Sequence, residues 1–272
     1  LDSRRRSGCV LSRTSAAGRL DSGSRQRDVV ALHYHSHGGQ SIQSAVEEIK
    51  TTGGRVEAFQ ADFTDVAQAK GLAGEAIAFL GGLDVLVNNA GTTMNRPFEK
   101  VTVEQYDTIY NVNVRSMFFV TQAALPALTT RHNGVIINMA SNHAFSGIIE
   151  HTVYAGTKGA IVAFTRTLAL ELASKGVRVN AIAPGAVLVE NHWKVFGESF
   201  DPKAAGKMNP AGFIGDPRDI GRLCIFLASD ESRYIMGQTI LCDGGLSTIM
   251  PSREDFRAPL REQFGKGYVP GL

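Results

Sequence analysis

The 272 residues hold 28 basic and 26 acidic side chains, with 43% hydrophobic and 20% charged residues. That is enough chain for one large α/β domain with a substantial core, and a formal charge of +2 speaks against a dedicated nucleic-acid surface. No apolar run is long enough to span a bilayer, and the three unpaired cysteines, Cys9, Cys224 and Cys242, suit a reducing, cytoplasmic compartment.

Residues 1–28 show no helical apolar face; seven arginines and three aspartates give them +4, leaving −2 for the rest of the chain. From Asp28 onward, strand and helix patterns alternate. A strand is predicted at 29–34, and a helix at 41–52 with Ile42, Val46 and Ile49 on one face. A strand follows at 56–60 and a helix at 66–80. Residues 84–88 read as a buried strand. One long helix or two covers 103–128, before a strand at 134–139. A long amphipathic helix at 152–174 is followed by a strand at 177–182, a helix at 217–228 and a last strand at 238–242. Several strands are continuous apolar runs, as in a parallel sheet covered on both faces. The alternation predicts a doubly wound parallel sheet with helices on both faces and ligands at the carboxyl ends of the strands.

The chemistry concentrates in Tyr154-Ala-Gly-Thr-Lys158, with Ser141 upstream. Four-residue spacing on a helix puts Tyr154 and Lys158 on one face. An adjacent ammonium favours phenolate over phenol, lowering a tyrosine pKa by roughly 1–3 units and making it a proton shuttle. A lone Tyr-x-x-x-Lys is usually only a helix surface, so its neighbours decide. His33, His35, His37 and His151 suggest a metal site, but no convincing carboxylate or cysteine accompanies them, and none is assigned.

Those neighbours are Asn88-Asn89-Ala90-Gly91, Asn113 in Asn111-Val112-Asn113-Val114, Ser141, Asn180-Ala181-Ile182-Ala183-Pro184-Gly185 and Asp243-Gly244-Gly245. In this order the chain, over residues 29–246, resembles the short-chain dehydrogenase/reductase family, near its 3-oxoacyl-carrier-protein reductases and its sugar and polyol dehydrogenases. The resemblance implies a single-domain, Rossmann-type α/β fold that commonly forms a homotetramer through its long central helices. It implies Tyr154 as acid/base on the substrate oxygen, and Lys158 as the group that lowers the Tyr154 pKa and binds the nicotinamide ribose. Ser141 would bind the substrate oxygen, and Asn113 would hold a water linking Lys158 to solvent. For the cofactor it implies Asn89, Ala90 and Gly91 against the adenosine ribose, Asp62 on the adenine amine, and Pro184, Gly185 and Val187 around the nicotinamide, besides Tyr154 and Lys158.

At the end of the strand at 29–34, the stretch Leu32-His33-Tyr34-His35-Ser36-His37 holds no carboxylate to repel a 2′-phosphate. Ser36 can bind one, which favours NADP, with NAD possible. Where the family carries a first strand and a Gly-rich phosphate loop, this chain has the Arg- and Ser-rich stretch instead, with Val10-Leu11, Thr14 and Gly18 as the only echo. A transit peptide, a divergent phosphate-binding loop using Arg13 and Arg19, and a stretch out of register with the ancestral reading frame are the three readings; the abrupt change at Asp28 favours the last. Residues 247–272 form a C-terminal extension.

Ser141, Asn142 and His143 would floor a substrate pocket beneath an apolar lid at 187–213 that includes Trp193. This suits a small sugar, polyol or hydroxy-acid type of compound. A 3-oxoacyl thioester is the near alternative, with Lys194, Lys203 and Lys207 as a basic rim. A non-catalytic nucleotide-sensing or assembly subunit is the reading from another class, favoured by the missing glycine loop and opposed by the complete set Asn113, Ser141, Tyr154 and Lys158.

Overall fold

The computed structural model describes residues 10–13, 29–35, 40–130, 133–188 and 200–249. The strands are β1 Val10–Arg13, β2 Val29–Tyr34, β3 Arg55–Gln60, β4 Val85–Asn88, β5 Val135–Met139, β6 Arg178–Pro184 and β7 Thr239–Cys242. They form one sheet in the order β3-β2-β1-β4-β5-β6-β7. The helices are α1 Gln40–Thr51, α2 Val66–Leu80, α3 Val103–Tyr110, α4 Ser116–Thr129, α5 Thr152–Ala173, α6 Pro202–Gly206 and α7 Pro217–Ala228.

The sheet is covered on both sides, as the apolar runs predicted. Leu86, Ile136 and Val179 point to one face, where they pack with Leu72 and Ala76 of α2, Val120 and Ala124 of α4 and Leu172 of α5. Val85, Ile137 and Ile182 point to the other, against Leu223, Cys224 and Leu227 of α7. Period-2 alternation on strands buried on both faces leaves little room for polar side chains. The few present are paired. Asn88 Nδ2 donates to Asn138 Oδ1 at 2.8 Å and to Thr121 Oγ1 at 2.9 Å, and Asn138 Nδ2 donates to Thr165 Oγ1 at 2.9 Å. These bonds tie β4, β5, α4 and α5 together below the site. Asn138→Ala should therefore cost about 3 kcal/mol, because it strands buried polar groups on both neighbours; urea unfolding of the variant checks this.

Six strands run parallel. The seventh, β1, is antiparallel to both its neighbours, with Val10 opposite Leu32 and Val87 and Arg13 opposite Val29. It occupies the slot in which the resemblance implies a parallel first strand. A parallel strand needs a crossover, usually helical, whereas an antiparallel one can turn back at the same edge. The sequence between Arg13 and Val29 has no helical apolar face, and the antiparallel direction is the one that dispenses with a crossover helix.

The predicted helix at 103–128 is two helices joined by one π-helical turn, Asn111–Arg115, closed by the Ser116 N–H on the Asn111 carbonyl. Thr102 and Gln105 form a capping box at the start of α3. The extra residue in the π turn changes which side chains face inward, and it carries Asn113 into the interior at 1% exposure.

Candidate active site

The site lies where β4, β5 and the start of α5 meet at the carboxyl edge of the sheet. Lys158 is buried, 4% exposed, and its Nζ donates to the Met139 carbonyl at 2.8 Å, at the last residue of β5. The same Nζ lies 5.5 Å from the Tyr154 ring centroid. Burial pulls the Lys158 pKa down from 10.5 to about 8. The Tyr154 pKa moves the other way: burial raises it above 10, opposed by a hydrogen bond with Ser141. The expected lowering by Lys158 is not among the causes of this shift: the ammonium donates to the Met139 carbonyl, and loss of water around the phenol outweighs the Ser141 hydrogen bond.

Asn113 reaches the site from the π turn. Its Oδ1 accepts from the Thr92 N–H at 2.8 Å; its Nδ2 donates to the Thr92 carbonyl at 2.9 Å and to Thr157 Oγ1 at 3.0 Å. Thr157 Oγ1 in turn donates to the Tyr154 carbonyl at 2.7 Å. The Asn113 amide is thus a clamp between the chain following Gly91 and the helix that bears the tyrosine. Between Tyr154 and Lys158, a Cβ on Gly156 would meet the Tyr110 hydroxyl at 2.7 Å, so any larger residue would displace that ring.

Ser141 follows β5 and is 6% exposed; its Oγ accepts from the His143 N–H at 3.2 Å, at the start of the short 3₁₀ turn Asn142–Ala144. His143 stands beside Tyr154, the ring centroids 6.0 Å apart, and beside His151, at 4.9 Å. Its pKa is pulled down by burial and by His151, against the Ser146 backbone.

The cofactor-side residues divide. A Cβ on Gly91 would lie 3.4 Å from Asn113 Oδ1 and 3.6 Å from Lys158 Nζ. Gly91 therefore lies beside the lysine, and an unobstructed backbone there fits a ribose. Gly185 has a different reason to be glycine. A Cβ would sit 2.5 Å from the Asp243 side chain, so it admits the turn in which Asp243 accepts from the Gly245 N–H at 2.9 Å and the Ser247 N–H at 2.7 Å. Val187 pairs with Gly215 in an isolated bridge beyond Pro184. Asp62 accepts from the Thr64 N–H and Oγ1, each at 2.8 Å, with His35 Nδ1 at 3.7 Å. Ser36 and Trp193, with residues 189–199 of the predicted lid, lie outside the described residues.

His33 is a core side chain: its ring stacks on Phe63 at 3.9 Å and its Nε2 bonds the Ala61 carbonyl at 2.9 Å. Among the described residues no group of three histidine, cysteine or acidic side chains is placed to hold a metal ion, and no helix is long and apolar enough to cross a membrane. Sequence reasoning did not single out Thr92, Thr157 or the Met139 carbonyl. A polar Thr157 beside the lysine on the buried side of α5 was the one available signal; a backbone carbonyl leaves none.

The nicotinamide end of the implied cofactor thus fits the residues present. The phosphate end is built differently: the strand in the first slot runs away from the carboxyl edge, and both Arg13 and Val29, which flank residues 14–28, lie at the opposite edge.

Residues 24–247 match the family model described as enoyl-(acyl carrier protein) reductase. The hydroxynaphthalene reductase-like protein Arp2 of Metarhizium robertsii is 39% identical over 232 residues, 80% of this chain and 85% of that protein. The 3-oxoacyl-acyl-carrier-protein reductase FabG of Thermotoga maritima is 36% identical over 207 residues, 76% of this chain and 83% of its own. Among solved structures, a blue fluorescent protein from a metagenomic library, in complex with NADPH, superposes with a TM-score of 0.71 at 34% identity, covering 79% of this chain and 86% of that one.

Proposed function

This chain belongs to the short-chain dehydrogenase/reductase family of oxidoreductases, and from that premise we propose that it interconverts a secondary alcohol and a ketone on a small hydroxylated or keto compound. The observation that carries the reading is the convergence of four side chains from three parts of the fold: Asn113 from the π turn, Ser141 from the end of β5, and Tyr154 and Lys158 from α5. A bound nicotinamide dinucleotide supplies the hydride donor or acceptor. NADP is the reading for this chain, with NAD possible: no carboxylate follows β2, and NADPH occupies the similar blue fluorescent protein.

Each residue has a definable part. Tyr154 is protonated at neutral pH, burial only raising its pKa further, so its phenol is set to give a proton to a carbonyl oxygen as that oxygen gains charge. Ser141, hydrogen-bonded to Tyr154, offers a second donor to the same oxygen. Lys158, still largely charged below about pH 8, stabilises the phenolate left behind. Asn113 and Thr157 hold the tyrosine's helix turn in place. In the alcohol-to-ketone direction the same proton moves back.

The 3-oxoacyl thioester alternative draws support from FabG and from Lys203 and Lys207 near α6; Lys194 lies outside the described residues. A homotetramer is the assembly proposed, supported by the exposed Phe118 on α4 and Leu170 on α5.

The test is a panel of ketones and secondary alcohols with NADPH and NADH, followed by nicotinamide fluorescence. Turnover of at least one small hydroxylated or keto member, faster with NADPH, is the expected result. No turnover of any member with either nucleotide sinks the reading.

A further inference from the structure

Two loops at the carboxyl edge follow strands that are not neighbours. Residues 61–64 follow β3 and residues 89–92 follow β4, and in the sheet β2 and β1 lie between those strands. Three strand spacings put the two loops roughly 14 Å apart. Ligands of an open α/β sheet sit beyond the carboxyl ends of its strands, so both loops border the space for a nucleotide. The π turn Asn111–Arg115 is hydrogen-bonded to both of them.

Toward the loop after β4 it sends Asn113, whose amide pairs with both backbone groups of Thr92. Toward the loop after β3 it sends Arg115, whose Nη2 donates to the Thr64 carbonyl at 2.5 Å. Side chains two residues apart point to nearly opposite sides of a helix, so one turn can hold a loop on each side.

The loop at 61–64 has an inner and an outer half. The inner residues are fixed by β2: Phe63 stacks on His33 at 3.9 Å, and the Ala61 N–H donates to the Tyr34 carbonyl at 3.1 Å. The outer residues, Asp62 and Thr64, are half-buried and joined to each other. Asp62 Oδ1 accepts from the Thr64 N–H and from Thr64 Oγ1, each at 2.8 Å. The Asp62 carboxylate therefore moves with Thr64. Arg115 reaches that unit from 51 residues further along the chain, and its guanidinium is a planar donor that stays charged.

We propose that Arg115 is a positioning residue for nucleotide binding. Through the Thr64 carbonyl it holds the Asp62 carboxylate at the adenine end of the site. Asn113, from the same turn, holds the chain after Gly91, beside Lys158. The π turn thereby spaces the two ends of the site relative to each other. The proposal rests on the reading of this edge as the nicotinamide-dinucleotide site and adds to it a brace that none of the motif residues supplies.

The experiment is a double-mutant cycle read by calorimetric titration with NADPH: wild type, Arg115→Met, Asp62→Ala and the two combined. Arg115→Met should weaken NADPH binding about fivefold, the scale of one exposed charged contact. In the Asp62→Ala background the same change should have no further effect, because the group that Arg115 positions is gone. Arg115→Lys, which keeps a charged donor, should lose less than Arg115→Met. In steady state Arg115→Met should raise KM for NADPH by more than it lowers kcat. Unchanged affinity in Arg115→Met overturns the proposal. So does an equal loss with and without Asp62, which would mean that the guanidinium touches the nucleotide itself; either result leaves the cofactor reading standing. A wild type that binds neither NADPH nor NADH overturns the cofactor reading, and the brace with it.

Discussion

Tyr154→Phe should lower kcat by about a thousandfold, the usual worth of a positioned acid/base, while costing only about 1 kcal/mol of stability for the lost hydrogen bond with Ser141. Lys158→Met should lose turnover on a similar scale but change stability in the opposite sense. The buried amine has its pKa lowered from 10.5 to about 8. Below pH 8 the lysine is charged in both folded and unfolded chains, and its burial costs the native state in full. Between pH 8 and 10.5 the unfolded chain binds the proton and the folded chain does not, so wild-type stability rises with pH across that window. Above it the penalty is gone. Lys158→Met should accordingly be more stable than the wild type at pH 7, with the advantage shrinking between pH 8 and 10.5. Thermal melts at pH 7, 9 and 10.5 beside steady-state rates check both halves. A tyrosine variant with unchanged turnover would remove the catalytic assignment. A methionine variant less stable than the wild type at pH 7 would show that the Met139 bond outweighs the burial of charge.

The second large effect concerns nucleotide affinity. A phosphate loop at a helix N-terminus presents several backbone N–H groups to the pyrophosphate, and each charge-assisted bond is worth about 1.5–3 kcal/mol. Here the first-slot strand is antiparallel, and the chain on either side of residues 14–28 lies at the far edge of the sheet. Replacing residues 1–28 with a parallel strand, a Gly-rich turn and a helix should tighten NADPH binding by about a hundredfold or more, the equivalent of two such bonds. Fluorescence titration of the two proteins measures it. Equal affinity in both would mean that the arginine-rich start supplies the phosphate contacts by itself.

What could be read in the sequence tracks what is local. Apolar runs at 84–88, 134–139 and 177–182 betrayed strands buried on both faces, and the strongly periodic helices were placed to within a residue or two. Tyr154, Lys158 and Ser141 were legible because their spacing carries their chemistry. The direction of β1 was not, since four residues pair equally well either way and the choice falls to the residues that continue the chain beyond Arg13. The π turn at Asn111–Arg115 has no composition signal, so the clamp by Asn113 on Thr92 was out of reach. The tyrosine's environment was misjudged because four-residue spacing says that Lys158 is near but not that its Nζ points to the Met139 carbonyl. Gly185 carries a second constraint that its motif position did not reveal, the close turn at Asp243.

The placement of β1 bears on how the protein survives clipping. β2 and β3 form one pair of parallel strands, β4 to β7 another group, and among the described residues β1 is the only strand that joins them. Its four residues thus stand as a splice in the middle of the sheet. Cleavage anywhere between Arg13 and Val29 would cut that splice from the strand that follows it, and its departure would create two raw edges at once, on β2 and on β4, each ready to recruit a strand from another molecule.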